Sequence, residues 1–151
     1  MKQMVSKAIT VICDDREPKS MDMIADTVEG ITFERKRLKT GDYIYENICV
    51  ERKEINDFCG SIMDGRLESQ VKKMKEDFPH NFIIVVGRIK DRTSDIHENC
   101  ILGKMTSLIV KHDMTLLFVD DEFQFCFVLK SLIKKTLDKN SKVMKGGIKN
   151  E

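Results

Sequence analysis

The sequence has no C-x-x-C pair, no glycine-rich phosphate loop, and no apolar run near the ~20 residues that a membrane-spanning helix needs. Nor does its start, "MKQMVSKAIT", contain the apolar core of a secretory signal. Five cysteines (Cys13, Cys49, Cys59, Cys100 and Cys126) make an odd count, and His80, His97 and His112 make no ligand spacing with them. This argues against both a disulfide framework and a zinc site. "VIC", "NICV" and "QFCFV" instead set Cys13, Cys49 and Cys126 in apolar company, as small buried hydrophobes. Reduced thiols imply a soluble intracellular protein, nuclear in a eukaryote and otherwise cytoplasmic. An excess of either charge is missing too, with 26 basic residues against 25 acidic. Bulk electrostatics therefore names no nucleic-acid partner, although clustering of the acids could still leave a basic face.

What is present is a chain of 151 residues, 41% hydrophobic and 34% charged, enough for one domain with a real core. "AITVIC" (residues 8–13) is a short β-branched run ending at the charged "DDREP", and predicts a buried strand. "SMDMIADTVEG" puts Met21, Ile24, Ala25 and Val28 on one helical face, with Ser20 placed to cap its start and Gly30 its end. "ITFERKRL" alternates as a strand does, and "GDYIYENICVERK" reads as two strands turned at Glu46-Asn47. Helical spacing follows over residues 54–78, broken near Asp64-Gly65. "NFIIVVG" reads as a fully buried strand, residues 95–113 as a second long helix, and "MTLLFVD" as a last strand. "DEFQFCFVLKSLIKKTLDK" predicts a terminal helix, and residues 139–151 a basic, disordered tail. Strands alternating with helices give an α/β class with a mixed central sheet flanked by helices, without internal repeats.

Two Glu-Arg-Lys triplets stand in the chain, Glu34-Arg35-Lys36 and Glu51-Arg52-Lys53. On a strand Glu51 and Lys53 share one face and Arg52 takes the other. Asp42 opens the preceding strand, directly after Gly41, and an antiparallel neighbour can bring it within ~5 Å of a glutamate. Two carboxylates that close repel unless a cation lies between them. With a lysine beside them, they compose a site able to polarise a phosphate. The same spacing also suits an ordinary charged strand. For the first triplet the matching acid is Asp26, on the polar side of a helix, so that run reads as a solvated strand edge or a basic strip, and as the second triplet's neighbour on the sheet. Asp14, Arg16 and Glu17 emerge where a strand ends, and Asp57 lies about one helical turn after Lys53, where it could orient Lys53 or Arg52.

Taken in order, "VICDDRE", "GDYIYENICVERKEINDF" and "SIMDGRLESQ" resemble the XPF/Hef family of structure-specific DNA endonucleases, from about Val11 to Phe78. The resemblance implies a restriction-endonuclease-like fold over residues 1–138 and Mg²⁺- or Mn²⁺-dependent cleavage of branched DNA (flaps, forks, junctions) in repair or recombination. It implies that Asp42 and Glu51 are the central metal ligands and that Asp14 and Glu17 complete or adjoin them. By the same resemblance Lys53 positions water or the scissile phosphate, and the main-chain carbonyl of the catalytic residue Arg52 contributes to the metal site. Arg16 and Asp57 are charged active-site residues, and Arg66 holds a phosphate or a neighbouring backbone group. Arg16, Lys53 and Arg66 are the implied DNA contacts.

Two departures stand out. Many relatives carry an acid where "IIVVGR" has Val86, and many continue into a tandem helix-hairpin-helix domain that residues 1–151 do not contain. The terminal helix holds more apolar groups, from Phe123 to Ile133, than one buried stripe needs, and predicts a homo- or heterodimer surface. The alternative function is a non-catalytic, DNA-binding partner subunit of a heterodimeric nuclease. Decayed partners lose the acids or the lysine, whereas Asp42, Glu51, Arg52 and Lys53 are all retained here.

Overall fold

A computed structural model describes residues 8–149, with side chains as far as residue 141. The elements are β1 (Ile9–Asp14), α1 (Ser20–Asp26), β2 (Ile31–Lys36), β3 (Tyr43–Tyr45), β4 (Ile48–Glu54), α2 (Ile55–Met63), α3 (Arg66–Asp77), β5 (His80–Val86), α4 (Glu98–Val110), β6 (Thr115–Val119) and α5 (Glu122–Lys149). The strands form one mixed sheet in the order β2-β1-β3-β4-β5-β6, in which only the short β3 runs against the rest.

Alternation along the strands divides the core. Val11, Cys13, Tyr43, Ile48 and Val50 face α1 and α5, burying Met21, Ala25, Phe125 and Leu129 with them. Cys49, Ile83 and Val85 face the other way, toward Phe58 of α2, Leu67 and Val71 of α3, and Ile101 and Leu108 of α4. Helices thus cover both faces, as near-continuous apolar runs such as "FIIVV" require. Among the described residues no helix is long and apolar enough to cross a membrane. Four cysteines are buried and unpaired, and Cys100 is exposed.

Several expectations need correction. The two triplets do not lie on neighbouring strands, because β1 and β3 separate β2 from β4. Ser20 is the first residue of α1 rather than its cap, and Lys19 stands before it with no side-chain capping bond. The helix expected over residues 95–113 begins at Glu98, because His97 Nδ1 accepts a hydrogen bond from the Asn99 amide (3.0 Å) and caps it there. At the end of the chain, α5 continues to Lys149, through most of the stretch expected to be a disordered tail. That stretch carries lysines and a methionine, which favour helix, and no proline to stop it, while Gly146-Gly147 weakens it only modestly.

Candidate active site

The site begins with a glycine. Gly41 has a φ of 75°, and a Cβ there would collide with Cys49 Sγ, so the turn into β3 demands glycine. Asp42 follows, its amide donating to Val50 O (3.0 Å) and its carbonyl accepting from Asp14 N (2.8 Å). Clamped between β1 and β4, Asp42 falls opposite Glu51, one step beyond the Tyr43–Val50 pair. Glu51 and Lys53 share the face of β4 that meets α2 and α3. Lys53, buried, holds its Nζ 3.6 Å from Glu51 Oε2.

Carboxylates packed this closely hold protons. Burial, reinforced by the charges of Glu51 and Glu17, pushes Asp42 up to about 9, although the Arg52 amide donates to its Oδ2 (2.9 Å). Burial also raises Glu51, outweighing the attraction of Lys53. Each buried charge makes the other costlier, so the pair favours taking up a proton or a cation. Asp14 is the opposite case. Burial works against its charge, yet Arg16 Nε (2.8 Å), Arg16 Nη2 (3.2 Å) and the Leu38 amide (2.9 Å) hold it below the usual carboxylate range. Asp14, Arg16, Glu17, Asp42 and Glu51 all border one cavity of about 410 Å³.

On the opposite face of β4, Arg52 points away from this cavity toward α5. Its Nε donates to Glu17 Oε1 (2.8 Å) and its Nη1 to Glu122 Oε1 (3.1 Å), with the side chain 7% exposed. Glu17 is thereby held by Arg52 while still bordering the cavity with Asp42. Asp57 is exposed on the first turn of α2 and makes no hydrogen bond or ion pair with Lys53 or Arg52. The α2 register carries it outward while Ile55 and Phe58 go in. Arg66 opens α3 on the surface, 3.2 Å from Asp64 Oδ2. Val86 is buried at the end of β5, in register with Glu54 of β4. Among the described residues no three histidine, cysteine or acidic groups stand arranged to hold a metal ion. The acids are present as one close pair, Asp42 and Glu51, and two others tied to arginines.

The first triplet is solvated at both ends, Lys36 and Glu34 pairing loosely at 3.6 Å in the open. Its middle residue does more than expected. Arg35 donates to Asp22 Oδ2 (2.9 Å) and to the carbonyls of Glu17 (2.7 Å) and Pro18 (2.8 Å), pinning the loop that carries Asp14 and Glu17. Sequence reasoning also missed Glu122, which has no local signal beyond its place at a helix start. It missed Gln70 and Lys73 of α3 as well, which border the cavity beside Met74. Their spacing of three and four residues on one helix was the available clue.

Comparison with known proteins places the chain. Residues 13–132 match the ERCC4 domain family model. A Methanocaldococcus jannaschii protein named for an ATP-dependent RNA helicase, MJ1505, is 33% identical over 130 residues, covering 85% of this chain and 16% of its own. The 3'-flap repair endonuclease Xpf of Saccharolobus solfataricus is 28% identical over 131 residues, covering 84% of this chain and 55% of that one. The chain thus spans about half or less of these relatives' lengths. Among solved structures, XPF from Aeropyrum pernix superposes with a TM-score of 0.76 at 31% identity, over 87% of this chain and 68% of that one, and its complex with DNA matches at 0.75. The fold is accordingly the restriction-endonuclease-like one that the motifs implied.

Proposed function

This chain belongs to the ERCC4 domain family, and from that premise we propose that it is the nuclease part of a divalent-cation-dependent, structure-specific endonuclease acting on branched DNA in repair. One observation carries the reading: Asp42 and Glu51 face each other across the β3–β4 pair, with their proton affinity raised and the Lys53 ammonium 3.6 Å from Glu51.

Like-charged groups held this close favour whatever positive charge can enter, a proton or a cation. Two carboxylates offer hard oxygen ligands of the kind Mg²⁺ and Mn²⁺ take, so the donor set fits such an ion. Asp42 and Glu51 would hold it, Asp14 and Glu17 adjoin them, and the Arg52 carbonyl lies on the same strand segment. When bound, the ion supplies charge that stabilises the oxygens of a phosphodiester under in-line attack. The chain's own residues do the rest. Lys53, buried and fixed against Glu51, presents a positive charge to the phosphate as negative charge builds there. Arg16 at the cavity rim supplies a second positive charge, and Arg66 at the start of α3 a further contact for the DNA backbone.

A labelled flap duplex incubated with Mg²⁺ or Mn²⁺ tests this. Cleavage that disappears in Asp42→Ala supports the reading, and cleavage that survives in it removes Asp42 from the chemistry. The non-catalytic reading has one observation in its favour, the engagement of Asp14 and Glu17 by arginines in place of a shared cluster. Flap binding without any cleavage by the wild-type protein would select it.

We also infer that a second subunit covers α5. Phe125, Leu129 and Ile133 are spent in the core, whereas Phe123 (53% exposed) and Phe127 (59% exposed) stand outside it beside Val28 and Phe118. A groove this apolar is the kind of surface that partners cover.

A further inference from the structure

We propose that Gln70 is a positioning residue, its side-chain oxygen accepting a hydrogen bond from a water held at the Asp42–Glu51 site. The proposal rests on the nuclease reading above and adds to it a residue that neither the acidic pair nor the lysine supplies.

Gln70 lies on α3 and borders the cavity together with Asp42 and Glu51. Its Oε1 is buried and has no hydrogen-bond partner. Buried amide oxygens are seldom left so, and a specific orphan calls for an explanation. The surroundings say what is missing. With a cation in place the neighbouring carboxylates are acceptors, as Oε1 is, and none of the nearby cationic donors reaches it. Lys73 Nζ, one helical turn on, donates to Lys39 O (3.0 Å), and Arg16 is taken by Asp14 and Leu38. An acceptor among acceptors needs a donor that the protein does not provide, which rules out a bare phosphate oxygen and fits a water molecule. A divalent ion at the carboxylate pair keeps several waters of its own. One of them directed at Oε1 would be oriented by an amide fixed on a rigid helix.

Three variants, read for stability, Mn²⁺ affinity and cleavage, test the assignment. Gln70→Met keeps the length of the side chain and removes the orphan. The metal-free variant should melt no lower than wild type, while Mn²⁺ affinity or single-turnover flap cleavage falls by about 10- to 100-fold, the usual loss for a residue that orients a metal's ligands. Affinity for the DNA should stay unchanged. Gln70→Glu, which keeps an oxygen at that place, should recover most of the lost Mn²⁺ affinity.

The assignment is overturned if Gln70→Met binds Mn²⁺ and cleaves like wild type, or if it melts lower and loses activity only in proportion. It is also overturned if Gln70→Glu is as impaired as Gln70→Met, because the amide would then act through its NH₂. The parent reading fails separately. In that case wild type shows no Mn²⁺ binding that Asp42→Asn abolishes, whatever stands at position 70, and the Gln70 assignment falls with it.

Discussion

Arg52 and Glu17 are joined at 2.8 Å on the face of β4 turned away from the acidic pair, with the Glu122 carboxylate completing the arrangement at 3.1 Å. The guanidinium is almost wholly enclosed, so these bonds do more than a surface ion pair could. They tie three distant parts of the chain together: the loop after β1, the end of β4 and the start of α5. Removing the cation would leave Glu17 and Glu122 facing each other in a buried place. Arg52→Ala should therefore cost about 3–5 kcal/mol of stability, the usual loss when one partner of a buried pair is removed. Arg66→Ala, at an exposed arginine, should cost less than about 0.5 kcal/mol. Urea denaturation of the two variants checks the contrast.

The acidic pair sets a pH dependence of the metal-free protein. Asp42 binds its proton more tightly folded, at about 9, than a free carboxyl near 3.8, so the folded state holds the extra proton between those values. Its contribution to stability is whole below pH 4 and is lost progressively as pH rises toward 9. Asp42→Asn should flatten that part of the Tm-against-pH curve, as calorimetry can determine. Because a cation must displace the proton, Mn²⁺ affinity should climb from pH 6 to pH 8, with protons released on binding.

Gly41 is a backbone requirement. Gly41→Ala places a Cβ against Cys49 Sγ at a positive φ, and the strain should cost about 1–3 kcal/mol. It would also shift Asp42, the next residue, so cleavage should drop by more than the loss of folded protein accounts for. Circular dichroism melts measured alongside flap cleavage separate the two effects.

Lys53 and Asp57 should behave differently, although they lie four residues apart. On the proposed chemistry Lys53→Met removes a buried charge beside the phosphate under attack, and losing such a group typically costs about 10²- to 10³-fold in rate. Asp57→Asn alters an exposed carboxylate that touches neither Lys53 nor Arg52, and should leave the rate within about threefold, a barrier change under about 1 kcal/mol. Single-turnover kinetics at saturating Mg²⁺ gives both values.

If α5 is a subunit surface, replacing Phe123 and Phe127 by serine should convert a dimer to a monomer in sedimentation velocity without lowering Tm. Both rings stand outside the core, so the fold does not depend on them.

How much could be read in advance differed from element to element. Residue alternation alone separated Glu51 and Lys53 from Arg52, because the two-residue period of a strand needs no tertiary information. The turn at Glu46-Asn47 and the break at Gly65 were likewise local, both adopting positive φ. The pairing of Asp42 with Glu51 required only a short hairpin, whose register the chain sets over ten residues. Asp57 illustrates the limit, since proximity in sequence suggested a contact that the register of α2 turns outward.

What the sequence by itself determined was the class of the fold, the order of its elements and the acidic hairpin at its centre, since all of these follow from periodicity and turn chemistry within short windows. Only the tertiary structure decided that Glu17 is held by Arg52, that Glu122 arrives from seventy residues away to join them, and that Gln70 Oε1 is left without a donor in the cavity the acids border. Such contacts depend on how separate elements stack across the sheet. That stacking comes from burial summed over the whole core, which no short stretch of chain contains.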